Sequence, residues 1–480
     1  MNSPWPMWLA GRRESSSDVF DVRSPYDGAP VASVAYATAQ QVDRAVAAAV
    51  AAAEPLSRLP AHVRAEALAQ VASQVAARRA EFVELLCAEA GKPVKWAEVE
   101  VDRASSTFRW AAEEARRWSG SLQRLDTDVS GEGRLAMVRR FPRGPVLAIA
   151  PFNFPLNLVA HKVAPALAVG APILVKPAPK TPLSALLLGE LLAETDLPPG
   201  SWSVLPVPDA RMPELVADPR LPVVSFTGSG PVGWRIRAAV PTKHVTLELG
   251  GNAAVLVASD WCSAADLDGA AARIATFSNY QAGQSCIAVQ RVYVEQALYE
   301  PLLERLVERV RCLAVGDPRD PRTEVGPLID EASARRVEEW VAEAVDGGAR
   351  ICVGGRREGT AYAPTVLVDV PVSARLHAAE VFGPVLFVEP VPSFDEGLAR
   401  INDSEFGLQA GVLTREVAKA FHAHATLRVG GVVIGDVPSY RADQMPYGGT
   451  KGSGIGREGP RSAMEDFTEE RLLVLTGVTL

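Results

Sequence analysis

The sequence predicts an α/β protein of two or three domains, and three observations lead to that prediction. The chain of 480 residues is longer than a single domain usually is. Helical patterns fill residues 38–118 without an intervening strand. From residue 146 onward, short apolar runs alternate with helices, which is the pattern of a parallel sheet covered on both faces.

Three helices are predicted ahead of the alternating part, the first because alanine has the highest helix propensity. Their expected bounds are Ala45–Ala53 with a stop at Pro55, about His62–Ala90, and about Val94–Trp118. A polar, turn-rich stretch then leads into a strand at Arg134–Arg140. This excursion predicts a protruding hairpin that pairs with another subunit or with the strand-like tail at Arg471–Val478.

Two series of strands and helices make up the alternating part. The first has strands at 146–150, 173–176, 203–206, 223–226 and 244–249, with helices at 156–169, 182–195, 212–217 and 231–239. The second runs from residue 253 to about 433, with helices near 264–278, 297–313, 331–347 and 394–402, and strands near 289–295, 385–391 and 429–434. The first series predicts a parallel sheet covered on both faces, and the second is a further α/β series.

Composition excludes several classes of protein. A net charge of −8 without a Lys/Arg run argues against a nucleic-acid partner. The N-terminus lacks the pattern of a signal peptide, and no apolar run approaches the roughly 18 residues of a membrane helix. A cytoplasmic protein without a membrane partner is therefore expected. The five cysteines are scattered and form no CxxC, so neither a disulfide framework nor a metal site is predicted.

The segment from His244 to Gln290 carries the residues best suited to chemistry. A buried strand is predicted to deliver the carboxylate of Glu248 to a glycine break. Cys286 follows small and polar residues just before the next strand. A carboxylate and a thiol at the ends of two elements suggest a base and a nucleophile.

A glycine-rich turn between Gly228 and Gly233 matches GxGxxG, follows an apolar strand and opens a helix. Backbone N–H groups at a helix N-terminus suit a pyrophosphate, but a tight structural turn explains the glycines equally well. The dinucleotide fingerprint also needs an acidic residue about 20 positions on, and Glu248 lies there. From the residues alone, Glu248 is either a ribose anchor or a base.

Taken together, seven motifs in this order resemble the aldehyde dehydrogenase superfamily over nearly the whole chain. They are Pro151-Phe-Asn-Phe-Pro155, Lys176-Pro-Ala-Pro179, Phe226-Thr-Gly-Ser229, Glu248-Leu-Gly-Gly251, Gly283-Gln-Ser-Cys286, Glu380-Val-Phe-Gly-Pro384, and Pro446-Tyr-Gly-Gly449 followed by Lys451. The resemblance implies a Rossmann-like cofactor domain (1–118 and 141–249) and an α/β catalytic domain (250–460). It also implies a small β oligomerisation element (119–140 and 461–480) and a homodimer or homotetramer.

The resemblance also implies the catalytic roles. Cys286 is the expected nucleophile, which forms a hemithioacetal and then a thioester with the aldehyde. Glu248 is expected to activate the hydrolytic water, and Asn153 to stabilise the oxyanion with the backbone N–H of Cys286. This replaces the ribose-anchor reading of Glu248, and it makes Gly230 incidental because the family pattern is FTGSxxxG.

For the cofactor, NAD or NADP, the resemblance implies that Lys176 holds the adenosine ribose and Glu380 the nicotinamide ribose. The other implied contacts are Pro151, Phe152 (where many relatives have Trp), Gly228, Ser229, Gly233, Leu249 and Phe382. NAD-preferring relatives carry a glutamate where this chain has Pro179, which removes the carboxylate that would repel a 2′-phosphate. With Lys180 adjacent, the sequence predicts that NADP is tolerated or preferred.

The substrate is expected to be a small aldehyde. The segments around Asn153 and Arg441 look closest to the branch that oxidises lactaldehyde, sulfolactaldehyde, phosphonoacetaldehyde or, without phosphorylation, glyceraldehyde 3-phosphate. Arg103 and Arg441 are candidate anion ligands, since arginine suits bidentate recognition. A solvated side chain on a helix face explains Arg103 at least as well, and Arg441 somewhat less well. Ser285 stands where some anion-specific relatives have an arginine, which argues against a doubly charged substrate.

Two alternative functions stay open at the sequence level. A CoA-acylating semialdehyde dehydrogenase would use CoA to resolve the thioester, and such relatives usually lack the base glutamate, so Glu248 favours hydrolysis. A structural or binding protein without activity on the same fold is the other alternative, because a fold alone does not establish activity.

Overall fold

The computed structural model of the chain describes residues 3–477. Its first part contains small strands, four helices and a hairpin: β1 Met7–Leu9, β2 Arg12–Glu14, β3 Val19–Arg23, β4 Pro30–Ala35, α1 Ala39–Arg58, α2 Ala61–Ala77, α3 Arg79–Ala90, α4 Val94–Arg117, β5 Ser121–Arg124 and β6 Arg134–Pro142. No helix among these residues or the rest of the described chain is both long and apolar enough to cross a membrane.

Two of the helix boundaries predicted from the sequence are wrong. Helix α1 does not stop at Pro55 but continues through it to Arg58. Leu56, the residue after Pro55, is fully buried. Packing of the last turn therefore outweighs the loss of the hydrogen bond that proline cannot donate. The predicted helix 62–90 is two helices, because the backbone of Arg78 leaves helical geometry and ends α2 where α3 begins.

The first large sheet carries the first predicted strand series. Its elements are β7 Val146–Ile149, α5 Asn157–Val169, β8 Ile173–Lys176, α6 Leu183–Ala193, β9 Trp202–Val204, α7 Met212–Ala217, β10 Val223–Thr227, α8 Gly230–Ala239 and β11 His244–Glu248. The five strands are parallel in the order β9-β8-β7-β10-β11. Beyond β9, strand β1 runs antiparallel to β9, and β2 runs antiparallel to β1. The carboxyl ends of β7, β8, β10 and β11 therefore open at one edge, where ligands bind in such sheets.

The second large sheet follows in the chain. Its region contains β12 Ala254–Val257, α9 Ala264–Asn279, β13 Arg291–Glu295, α10 Tyr299–Arg311, α11 Glu331–Asp346, β14 Arg350–Val353, β15 Arg357–Glu358, β16 Ala361–Tyr362, β17 Thr365–Val368, α12 Arg375–Ala378, β18 Val385–Val391, α13 Phe394–Asn402, β19 Phe406–Gly407, β20 Gln409–Leu413, α14 Val417–Thr426 and β21 Gly431–Ile434. The sheet order is β14-β17-β18-β13-β12-β20-β21, all parallel except β14. The second α/β series is thus present, and its sheet also contains β12, β14, β17 and β20, which the sequence analysis did not predict.

The C-terminal part returns to the earlier regions. It comprises β22 Thr450–Lys451, β23 Gly454–Ile455, α15 Pro460–Asp466 and β24 Thr468–Thr476. Strand β23 joins the edge of the first sheet beside β11, and β24 pairs with β6 along nine residues, with β5 on its other side. The predicted pairing of hairpin and tail is thus present, although Val478 lies outside the described residues. The domain boundaries given above stay a prediction.

Two carboxylates from the helical block fix the starts of the helices that border the site. The N-cap of α5 is Leu156 and that of α6 is Pro182, neither of which has a side-chain acceptor. Glu100 instead accepts from the backbone N–H of Leu156 at 3.0 Å. Glu89 accepts in the same way from Leu183 at 2.7 Å. A carboxylate at a helix N-terminus accepts from a backbone N–H that has no partner within the helix, and it interacts favourably with the helix dipole. Both loops ahead of these helices are therefore held in place.

Candidate active site

The side chain of Asn153 links the two sheets at the centre of the site. Asn153 lies between β7 and α5, and its Nδ2 donates to the backbone oxygen of Gln284 at 2.9 Å. Gln284 belongs to the loop that carries Cys286 after α9. Asn153, the residue predicted to stabilise an oxyanion, is therefore buried, and its amide is bonded to a residue two positions before the predicted nucleophile.

The loop before Cys286 has an unusual backbone. Gln281, Ala282 and Gly283 all have positive φ, at 52°, 53° and 70°. A Cβ on Gly283 would lie 2.0 Å from the carbonyl oxygen of Gly383. Such strain persists only where the surroundings enforce it, and it is common at active sites. The fold thus fixes the position of Cys286 at a conformational cost.

The two glycines after Glu248 make room for functional groups. A Cβ on Gly250 would lie 2.3 Å from a carboxylate oxygen of Glu380, and one on Gly251 would lie 2.3 Å from the carbonyl oxygen of Cys286. The Glu248-Leu-Gly-Gly251 motif therefore has a packing reason. It lets the second sheet's loops approach the end of β11.

The thiol of Cys286 contacts a phenol. Its Sγ lies 2.8 Å from the hydroxyl oxygen of Tyr447. Burial raises the pKa of Cys286 to about 12, while the hydrogen bond from Tyr447 and the charge of Arg441 act in the opposite direction. Burial also raises the pKa of Tyr447 well above its ordinary value, so its hydroxyl keeps its proton.

Glu248 is a buried carboxyl group without fixed partners. Neither of its oxygens has a hydrogen-bond partner among the described residues. Burial, and next the charge of Glu458, raise its pKa well above the ordinary value. A Cβ on Gly448 would lie 2.7 Å from its Oε1, so the carboxyl faces the loop that carries Tyr447. A buried carboxyl with free oxygens and a raised pKa suits a general base that binds water.

A buried cluster of charges borders this carboxyl. Glu458 accepts from Lys162 at 3.2 Å and from Arg441 at 3.1 Å. Burial opposes its ionisation, yet the charges of these two cations outweigh burial and hold the pKa of Glu458 at about 2. The guanidinium of Arg441 also lies over the ring of Tyr447, 3.8 Å from its centroid. Arg441 therefore contacts the phenol that contacts the nucleophile.

Arg103, the second predicted arginine, comes to the same region from α4. Its Nε donates to Asp443 at 3.0 Å. His161 lies 3.4 Å from the same carboxylate, and burial followed by the charge of Arg441 lowers its pKa to about 4, so the imidazole is neutral. Three cations, Lys162, Arg103 and Arg441, thus face two ionised carboxylates. Glu248 lies beside this cluster, and the charges of Arg441 and Lys162 lower its pKa against the larger effects of burial and Glu458.

Ser285 does not carry a charge to the site but does carry a hydroxyl. It is hydrogen-bonded to the hydroxyl of Tyr280, and both side chains are buried. The charges of Cys286, Arg103 and Arg441 all act on the pKa of Tyr280, which burial raises. The two hydroxyls therefore lie near Cys286 and within range of the charges of both arginines.

On the cofactor side, the structure places Glu380 against the end of β11. Its Oε1 accepts from the backbone N–H of Gly251 at 2.9 Å. Burial raises the pKa of Glu380 to about 7. Phe382, with φ at 47°, stands edge-on to Phe152, with ring centroids 5.9 Å apart. The buried carboxyl of Glu380 and the strained residue Phe382 thus lie between the two sheets, beside the end of β11 and Phe152. We call this place the mouth between the sheets.

The turn between β10 and α8 is shaped as a cradle. A Cβ on Gly228 would collide with the ring of Phe226 at 2.6 Å, and one on Gly233 with Leu249 at 2.4 Å. Around Gly230 a Cβ would meet nothing within 4 Å. The first two glycines bring the start of α8 close to the sheet, as the FTGSxxxG pattern expects, and Gly230 is dispensable. A helix N-terminus held there fits a pyrophosphate, and the residues present fit a dinucleotide.

The remaining predicted cofactor residues lie along the same edge of the first sheet. Lys176 ends β8, and its Nζ pairs with Asp209 at 2.6 Å. Lys180 pairs at 2.7 Å with Asp330, from the second sheet's region. Pro179 and Pro151 are partly buried in the loops that follow β8 and β7. The structure thus brings every predicted cofactor residue to the carboxyl ends of the strands or to the mouth between the sheets.

Several residues of the site had no assigned role in the sequence analysis. They are Lys92, Glu100, Lys162, Asp209, Asp443, Tyr447 and Glu458. Tyr447 lies in one of the family motifs, but the sequence does not show that its hydroxyl contacts a thiol 161 residues earlier in the chain. The burial of Lys92 and Lys162 is harder to predict, because lysine is mostly exposed in proteins and an isolated lysine is expected to be solvated.

The whole chain was compared with known proteins. The model of the aldehyde dehydrogenase family matches residues 12–473. The chain belongs to this family and is an NAD(P)-dependent aldehyde dehydrogenase. The family fold and the family branch expected from the sequence are both confirmed.

Particular relatives narrow the comparison. The chain is 41% identical over 470 residues to a 3-sulfolactaldehyde dehydrogenase of Priestia aryabhattai, covering 98% of this chain and 97% of the relative. The structure of aldehyde dehydrogenase 21 from Physcomitrella patens, in complex with the reaction product succinate, is 42% identical, with a TM-score of 0.97 and 99% coverage of both chains. Glyceraldehyde-3-phosphate dehydrogenase GapN from Methanocaldococcus jannaschii, complexed with NADP, is 33% identical, with a TM-score of 0.91 over 96% of this chain and 100% of that one.

Proposed function

We propose that the protein oxidises a small hydroxylated or anionic aldehyde to the free carboxylic acid through a thioester on Cys286. The observation that supports this most is that Asn153 and an unpartnered, buried Glu248 lie near Cys286: Asn153 donates to Gln284, two residues before Cys286, and the charge of Glu248 acts on the thiol. These residues supply an oxyanion donor, a nucleophile and a base, which is the full set for acyl formation and hydrolysis.

In the first step, the sulfur of Cys286 adds to the aldehyde carbon and gives a tetrahedral hemithioacetal. Asn153 is held by Gln284 and donates its amide N–H to the developing oxyanion. Removal of one such donor costs roughly 2.7–4 kcal/mol of transition-state stabilisation. A bound nicotinamide cofactor would supply the acceptor for the hydride lost from this carbon, which would leave a thioester on Cys286.

In the second step, the carboxylate of Glu248 takes a proton from water as the water oxygen attacks the thioester carbonyl. The C–S bond then breaks, and the acid and the thiolate of Cys286 are released. A carboxyl with a raised pKa is a stronger base once ionised, so burial increases its catalytic value. The presence of Glu248 also supports hydrolysis over transfer to CoA. An assay without CoA that yields acid over many turnovers tests this point.

The substrate class is inferred from the two arginines near Cys286. Arg441 Nε is buried and lacks a hydrogen-bond partner among the described residues, whereas Arg103 Nη2, also buried, lies in an ion pair 3.0 Å from Oδ1 of Asp443. An unpaired buried donor favours a ligand that satisfies it, and arginine suits carboxylate or sulfonate groups. The relatives named for 3-sulfolactaldehyde and solved with succinate support an anionic aldehyde.

The charge preference is testable with two aldehydes of equal length. Succinic semialdehyde is anionic and butanal is neutral. We expect Arg441→Ala to lower the ratio of their kcat/KM values by about tenfold or more, since a lost charge-assisted hydrogen bond is worth about 1.5–3 kcal/mol. A ratio that equals the wild-type value in both Arg441→Ala and Arg103→Ala contradicts an anionic substrate, and the ratio cancels any general loss of active enzyme.

For the cofactor we propose that NADP is tolerated or preferred, because Pro179 offers no carboxylate to repel a 2′-phosphate and Lys180 is adjacent. The roles of Lys176 and Glu380 as ribose ligands belong to the same proposal. Their placement at the carboxyl ends of the strands supports it. Cytoplasmic location and a homodimer or homotetramer complete the proposal.

A further inference from the structure

The carboxylate of Asp209 occupies the neighbourhood of Lys176. Lys176 is almost fully buried, and its Nζ lies 2.6 Å from Oδ1 of Asp209. The aspartate side chain itself is 78% exposed. An exposed ion pair of this kind contributes little to stability, so the fold gains little from placing a carboxylate here.

We infer that Asp209 supplies the carboxylate that Pro179 lacks, so that the enzyme tolerates NADP but does not prefer it. A carboxylate in dinucleotide sites accepts a hydrogen bond from the ribose 2′-hydroxyl and disfavours a 2′-phosphate. Here that group comes from the loop after β9, instead of the loop after β8 that carries Pro179. The inference rests on the proposed role of Lys176 as a ribose ligand.

The loop that carries Asp209 is held in place from two sides. Arg211 donates to the backbone oxygen of Ala37 at 2.8 Å, and the N–H of Ala37 donates to the oxygen of Pro206 at 2.8 Å. The carboxylate also acts on Tyr36, whose pKa is raised by burial and then by the charge of Asp209. Asp209 is therefore a fixed feature of this edge of the sheet.

Lysine can serve both groups at once. An ammonium has three N–H donors, so Lys176 can keep its bond to Asp209 and still donate to a ribose oxygen. A 2′-phosphate carries about −1.5 to −2 charges, so it is repelled by Asp209 and attracted by the lysine. Removal of the aspartate charge leaves only the attraction, which shifts the balance towards NADP.

The test uses the full-length enzyme and the neutral, isosteric variant Asp209→Asn. Calorimetric titration gives dissociation constants for 5′-AMP and for adenosine 2′,5′-bisphosphate, which differ in the 2′ group and need no turnover. We expect the preference for the bisphosphate to rise by about tenfold or more, which is the effect of one charge-assisted interaction. The ratio of kcat/KM with NADP to kcat/KM with NAD rises in parallel.

Two further variants separate the possible failures. Asp43→Asn is the matched control, because Asp43 is an exposed aspartate paired with Arg220 at 2.7 Å, and it leaves the ligand preference unchanged. Lys176→Met weakens both ligands if Lys176 is a ribose ligand. If it weakens neither, the proposed cofactor role of Lys176 fails and the inference falls with it. If Lys176→Met weakens both while Asp209→Asn leaves the preference within about twofold, the inference alone is overturned.

Discussion

Tyr447 connects the nucleophile to the buried charges that surround it. Its hydroxyl contacts Cys286 at 2.8 Å, and its ring lies under the guanidinium of Arg441. A cation over the ring makes the phenol a better donor, and a donor stabilises a thiolate. At the scale of single residues, the site therefore offsets part of the cost of ionising a buried thiol.

The prediction is that Tyr447→Phe raises the pKa of Cys286. The hydrogen bond to a charged sulfur is worth about 1.5–3 kcal/mol, so alkylation by iodoacetamide at neutral pH slows by about tenfold or more. The other charged or titratable groups that act on Cys286 are Glu248, Glu380 and Arg441, and they are unchanged in this variant. The measurement is the alkylation rate as a function of pH.

A matched control is a second buried tyrosine, in the small β15–β16 sheet. Tyr362 is buried in β16, away from the site, and Tyr362→Phe leaves the alkylation profile unchanged. If Tyr447→Phe shows the wild-type profile as well, the hydroxyl has no part in thiol ionisation.

Sequence reasoning was strong for residues in family motifs and weak for their partners. Asn153, Glu248 and Cys286 were named because each lies in a short motif, and the structure brings them together. Lys162 and Glu458, 296 positions apart, pair only through the fold. A pairing across that separation leaves no local pattern, so one sequence cannot reveal it.

At the scale of elements, a buried ion pair holds the loop between β7 and α5. The Nζ of Lys92 donates to the backbone oxygen of Asn153 at 2.9 Å and pairs with Glu100, which caps α5. Both charged side chains are fully buried. The helical block thus positions the oxyanion donor without contact with the substrate.

Removal of one partner is predicted to be costly. Lys92→Met leaves the Glu100 carboxylate unpaired, and loss of one partner of a buried pair lowers the free energy of unfolding by about 3–5 kcal/mol. The double variant with Glu100→Gln removes both charges and recovers part of that loss. We expect kcat to stay reduced by about tenfold or more in the double variant, since a donor to the Asn153 loop is still missing. Denaturant unfolding and steady-state kinetics separate the two effects, and a wild-type kcat in the double variant contradicts a positioning role for Lys92.

The errors at the element scale have a common cause. Pro55 normally ends a helix, yet α1 continues because its last turn packs into the core. The helices α2 and α3 share an unbroken alanine-rich pattern, and only their different packing separates them at Arg78. The strands of the first series were predicted correctly because apolar runs of parallel strands are continuous and short.

At the scale of the whole molecule, the sheet of β24, β6 and β5 exposes apolar side chains. Leu472 is 64% exposed and Leu473 52% exposed on opposite faces of β24. A three-stranded sheet with an apolar exposed surface is a candidate for pairing between subunits. This supports the oligomer expected from the sequence.

We predict that the protein elutes as a dimer or tetramer and that Leu472→Asp combined with Leu473→Asp shifts it towards the monomer. Charges buried at an apolar interface weaken association. Light scattering coupled to gel filtration measures the mass directly. A wild-type monomer at micromolar concentration would contradict the prediction. The matched control is the double substitution Val417→Asp with Phe421→Asp, at two exposed apolar residues of α14.

The central claim is that Cys286 carries an acyl group that Glu248 hydrolyses. The most direct measurement is mass spectrometry of the Glu248→Gln enzyme after reaction with aldehyde and cofactor. We predict an adduct of one acyl group on the peptide containing Cys286, a burst of about one reduced nicotinamide per site, and no adduct when Cys286→Ala is added. An unmodified Cys286 together with turnover at the wild-type rate in Glu248→Gln would contradict the account.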